Sequence, residues 1–111
     1  MKLNEYQLIS KRTMPSVYDG MAKANYGLGL TGEAGEVGDL IKKEVFHGHH
    51  EDREKIKKEL GDVLHYLAGV ADMYGWTLEQ IATANIEKLM KRFPNGFNTE
   101  DSIKRVDVGN N

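Results

Sequence analysis

Through the middle of the chain apolar residues recur every three or four positions, and stretches of alternating β-branched residues are lacking, which is the pattern of amphipathic helices. The fold class this predicts is all-α. A short first helix is expected from Asn4 to about Arg12, broken at Thr13-Met14-Pro15-Ser16. The second runs from about Ala22 to Val45 and ends at the polar loop Phe46-His47-Gly48-His49-His50. Asp52 can then cap a third helix, about Arg53 to Tyr74, and Gly75 suits its end. Thr77 followed by Gln80 has the spacing of a capping box and opens a fourth helix, about Leu78 to Phe93, which Pro94-Asn95-Gly96 stops. Residues 98–111 are polar, with scattered Ile103, Val106 and Val108, and read as an arm or a mobile tail on a domain covering residues 1–97. The second helix carries Gly27, Gly29, Gly32, Gly35 and Gly38. Each glycine costs about 1 kcal/mol relative to alanine inside a helix. A neighbouring helix or ligand pressed against the backbone is the preferred explanation, ahead of a bent or non-helical stretch near Gly27–Gly32.

Polar groups interrupt these apolar faces at particular places. At about 100° per residue, Leu30, Ala34, Val37, Ile41 and Val45 form one stripe of the second helix, and Glu33 falls on that same side with Glu36 at its edge. In the third helix Ile56, Val63, Tyr66, Leu67, Val70 and Tyr74 make the apolar arc; Glu59 projects from its middle and Asp62 sits at its border. An ionised carboxylate in an apolar setting is protonated, paired or metal-bound, and four converging ones can hardly all be paired. Residues three apart are neighbours on a helix surface, so each pair can aim oxygens at one cation. All-oxygen ligation suits a hard ion, Mg²⁺ or Mn²⁺, with further ligands from water and substrate phosphate. On the fourth helix Asn85 and Arg92 point into the buried arc and Lys88 borders it, placing cations where an anion is expected. Salt bridges from these cations to Glu33 or Glu59 are the plainer alternative.

Size and composition narrow the possibilities. With 111 residues, 40% hydrophobic and 29% charged, the chain suits one globular domain and offers no apolar run able to span a bilayer. The opening Met-Lys-Leu-Asn is polar too early for a signal peptide, which makes the cytoplasm the expected location. No cysteine is present, so thiolate chemistry and sulfur-ligated metals drop out. A net charge of −2 gives no general attraction for nucleic acid and favours a small ligand. His47, His49 and His50 are best read as solvated loop residues, and Trp76 as packing over a helix junction. His65, three residues after Asp62, resembles half of a di-iron Glu-x-x-His motif, but no second copy accompanies it.

Glu33-x-x-Glu36, Glu59-x-x-Asp62, Asn85-Ile86-Glu87-Lys88-Leu89 and Lys91-Arg92-Phe93-Pro94-Asn95-Gly96-Phe97 together resemble the MazG-like family of all-α nucleoside triphosphate pyrophosphohydrolases. The Tyr6-Gln7 opening and Ser102-x-x-Arg105 in the tail are similar as well. The resemblance implies helical hairpins forming a four-helix-bundle core, completed in a homodimer or homotetramer. It also implies hydrolysis of nucleoside triphosphates, deoxynucleotides included, between the α- and β-phosphates to a nucleoside monophosphate and pyrophosphate. Glu33, Glu36, Glu59 and Asp62 would hold Mg²⁺, one of them, with Glu36 preferred for its border position, also activating water. Lys88 and Arg92 would hold phosphates and Asn85 would position substrate. Two other functions stay open: a non-catalytic helical metal-binding or interaction module, and a ferritin-like carboxylate metal protein. A related phosphoribosyl-ATP hydrolase activity is also compatible.

Overall fold

Asp19 opens the longest helix by accepting the Ala22 backbone N–H at 2.9 Å, and from there α2 runs without a break from Gly20 to Phe46 in the computed structural model, which describes residues 1–108. It is preceded by α1 (Leu3–Ser10) and a 3-10 turn (Lys11–Thr13). It is followed by α3 (Arg53–Met73), α4 (Leu78–Arg92), α5 (Thr99–Lys104) and a closing 3-10 turn (Val106–Val108). The fold is all-α, as the periodicity predicts, with no strand among the described residues. Among the described residues no helix is long and apolar enough to cross a membrane.

Local chemistry explains the boundaries. Asp52 caps α3 by accepting from Lys55 N–H at 3.1 Å. Gly75, at φ +80°, ends that helix: its N–H donates to the Asp72 carbonyl and that of Trp76 returns to Ala71 at 2.9 Å, a left-handed glycine cap. Gly48, at φ +71°, turns the chain after α2 in the same way. The first helix stops at Ser10, short of the expected Arg12, because residues 11–13 tighten into the 3-10 turn. The tail holds a helix that its polar composition did not announce: Asn98 accepts the Asp101 N–H at 2.7 Å and starts α5.

The described residues pack as two units, Met1–Thr77 and Leu78 onward. In the first, α2 and α3 form an antiparallel hairpin whose register is set by two reciprocal contacts. The Tyr66 ring lies on Gly29 and the Tyr26 ring on Gly69, so that a Cβ at either glycine would stand 2.4 Å from an aromatic carbon. This is the close approach anticipated from the glycine content, but at Gly29 alone of the five. Added Cβ atoms at Gly27, Gly32, Gly35 and Gly38 would meet no heavy atom within 4 Å among the described residues, and α2 stays helical through all four positions. Ala22, Tyr26 and Met73 are the buried centre, with Met14, Tyr18, Tyr66 and Val70 packed around them. The buried Gln7 side chain ties α1 to the end of α3 by donating to the Trp76 carbonyl at 2.9 Å. Tyr18 donates to Asp72, which Lys11 meets at 3.2 Å. That bond holds the Tyr18 hydroxyl up at a pKa of about 12. In the second unit, α4 packs with the segment that follows it, Arg92 donating to Ser102 Oγ at 3.2 Å and lying 3.9 Å from the fully buried Asp107 carboxylate.

Candidate metal centre

Since α2 and α3 run antiparallel with Gly29 opposite Tyr66, residues one turn further along α2 face residues one turn earlier on α3. Glu33 therefore meets Asp62 and Glu59. One carboxylate oxygen from each of the three lies within 4.8 Å of the others, the one such group of potential metal ligands among the described residues. Glu33 and Glu59 are half-buried and Asp62 is exposed. Glu36 is exposed and stands outside this set, although its charge still reaches Glu33.

The electrostatics are those of an acidic cluster without a counter-charge. Within the Met1–Thr77 unit, no described lysine or arginine pairs with any of the four carboxylates. Glu33 is consequently pushed up to a pKa of about 7. The largest cause is a hydrogen bond with Glu59, followed by loss of hydration and then repulsion from Glu59, Asp62 and Glu36. A shared proton thus does part of what a cation would do. Three convergent carboxylates with no nitrogen or sulfur donor fit a hard divalent ion, and the crowding of like charge that raises the Glu33 pKa is what such an ion would relieve.

His65 is not part of this donor set. Its Nδ1 is 2.6 Å from Ser10 Oγ and its Nε2 is 3.3 Å from the Tyr26 hydroxyl, so both ring nitrogens are engaged. The ring also packs edge-on against Tyr66. His47, His49 and His50 are all exposed, and Trp76 stacks on Tyr74 at the helix junction, with ring centroids 5.7 Å apart. Of the remaining sequence-derived candidates, Asn85 and Lys88 are exposed on α4, while Arg92 is half-buried and engaged by Ser102. The layer of Ser10, Tyr26, His65 and Tyr66 beside the carboxylates escaped the sequence reading. The one available signal was the recurrence of Gly29 and Gly69, each marking where a large ring had to fit.

Residues 22–97 match the family model of the MazG nucleotide pyrophosphohydrolase domain, about two-thirds of the chain. The chain belongs to that family. The MazG match spans the α2–α3 hairpin and α4, and it takes in Glu33, Glu36, Glu59, Asp62, Asn85, Lys88 and Arg92. Among relatives of this MazG domain, the Gene 37 protein of Mycobacterium phage L5 is 29% identical over 107 residues, covering 86% of this chain and 92% of the phage protein. Uncharacterized protein YvdC of Bacillus subtilis (strain 168) is 40% identical over 58 residues, 52% of this chain and 55% of that protein. No solved structure matches the chain.

Proposed function

We propose that the protein hydrolyses nucleoside triphosphates between the α- and β-phosphates, releasing a nucleoside monophosphate and pyrophosphate, with Mg²⁺ as cofactor and Mn²⁺ able to replace it. The observation that carries this reading is the convergence of Glu33, Glu59 and Asp62, with no lysine or arginine of the described Met1–Thr77 unit paired to them, in a chain of the MazG family. These three would hold the ion, with Glu36 completing the set at the exposed rim. A bound divalent ion neutralises phosphate oxygens and acidifies water, both of which a polyanionic substrate requires.

This chain's residues supply the rest. Glu36, at the solvent edge, orients the attacking water and takes its proton as the new P–O bond forms and the α–β bridge breaks. Asn85 and Lys88, exposed on α4, serve as donors to the substrate, with Lys88 acting as a point charge on phosphate. Arg92, half-buried and engaged by Ser102 and Asp107, would reach a phosphate oxygen only by exchanging those partners. The catalytic domain is taken as residues 1–97 with a C-terminal arm from residue 98, of which 109–111 lie outside the described residues, working as a homodimer or homotetramer in the cytoplasm.

The test is a panel of canonical and modified nucleoside triphosphates with Mg²⁺, read by pyrophosphate release. At least one should be cleaved, and Glu59→Gln should lower the rate by at least about a hundredfold. No release from any of them would transfer the weight to a non-catalytic helical module.

A further inference from the structure

The carboxylate cluster accounts for the phosphates of a substrate and leaves its nucleoside end without a place. From the cluster, a bound nucleotide can extend along the hairpin in two directions. In one, the space between α2 and α3 is closed: Tyr66 fills the gap over Gly29, Tyr26 fills it over Gly69, and Ser10 of α1 holds His65 alongside. In the other, toward the turn that joins α2 to α3, the helices border a groove of about 690 Å³. Its floor is Ile41, Ile56 and Leu60. Ile56 precedes Glu59 by one helical turn and Ile41 follows Glu33 by about two, so at 1.5 Å per residue the groove begins about 5 Å from the cluster along α3 and reaches about 12 Å along α2.

The charge of the rim selects which end of a nucleotide enters. Glu44, Glu51 and Glu54 stand there against Arg53 and Lys57, and Arg53 is already bonded to Glu51 and drawn by Glu44. A rim with one carboxylate in excess repels a triphosphate and offers acceptors to amino groups. Ile41 and Leu60 are 45% and 52% exposed, an apolar floor open for a flat ring to cover. An apolar floor with a few polar groups around it is the usual make-up of a small-molecule site of this size.

We propose that this groove receives the sugar and base of the nucleotide, and that Ile41, Ile56 and Leu60 with the acidic rim favour amino-bearing bases (adenine, cytosine, guanine) over thymine and uracil. The proposal rests on the hydrolase reading above. It makes the hairpin itself the source of nucleoside specificity.

Methyl-labelled full-length protein titrated with Mg²⁺ and a non-hydrolysable α,β-bridged nucleotide, and separately with Mg²⁺ and pyrophosphate, tests it by NMR. The Ile41, Ile56 and Leu60 methyls should shift with the nucleotide and stay put with pyrophosphate. Leu60→Trp, which fills the groove at an exposed position, should weaken nucleotide binding about tenfold while leaving Mn²⁺ affinity unchanged. Nucleotide binding that leaves these methyls unmoved would overturn the proposal, as would no binding at all. Shifts that follow protein concentration without nucleotide would also overturn it, assigning the groove to a second copy of the chain. Pyrophosphate release measured on the same protein preparation with the parent hydrolysable triphosphate separates the two ideas: release with silent methyls sinks the groove alone, and shifted methyls without release sink the hydrolase alone.

Discussion

Glu33 holds a proton near neutrality because Glu59 bonds to it and three like charges surround it. Its folded pKa, about 7, lies above the ordinary 4.5, so the folded state binds more protons than the unfolded chain between those values. The sign follows directly: this group favours folding most below about pH 4.5, and that contribution falls away as pH rises through 7. Thermal melts without divalent ions should therefore show a lower Tm at pH 8 than at pH 5.5, and Glu33→Gln should reduce that difference. Equal slopes for both proteins would mean that the cluster does not strain the fold. At this scale the sequence was informative about direction, since three-residue spacing on two apolar faces already brings Glu33, Glu59 and Asp62 together. It was silent about His65, whose engagement by Ser10 and Tyr26 depends on residues 55 and 39 positions away.

Helix boundaries belong to a chemistry that is local, and they were correspondingly readable. Asp52 and Gly75 mark the ends of α3 in sequence and in structure, because a cap needs only a side-chain acceptor or a left-handed residue at one position. The glycines of α2 were readable only as a group. Which of them matters is decided by what sits on the facing helix: Tyr66 opposite Gly29, and open space beside Gly32 and Gly35. The same distinction predicts opposite outcomes for one chemical change. Gly69→Ala puts a methyl into the buried Tyr26 ring and should destabilise by about 1–3 kcal/mol in urea unfolding. Gly35→Ala should instead stabilise by up to about 1 kcal/mol, since it adds helix propensity and touches nothing. Equal effects at the two sites would remove the Tyr–Gly contacts as the determinant of hairpin register.

For the molecule as a whole, the core is thin: among the described residues no large side chain is fully buried, while Leu28 and Phe46 are 72% and 78% exposed. Removing such exposed apolar side chains from water is favourable, and the proposed association into dimers or tetramers would do so. Sedimentation at micromolar concentration should accordingly give a multiple of 12.5 kDa, and a monomer alone would remove that part of the proposal. The proposed catalysis depends on whether the hairpin's acidic cluster captures a divalent ion. The most direct measurement is a Mn²⁺ titration at pH 8, following the electron paramagnetic resonance signal of the free ion for the full chain and for Glu59→Gln. Saturable uptake that Mg²⁺ reverses, and that the substitution abolishes, is the expected result; no uptake, or the same uptake by both proteins, would contradict a metal centre at Glu33, Glu59 and Asp62.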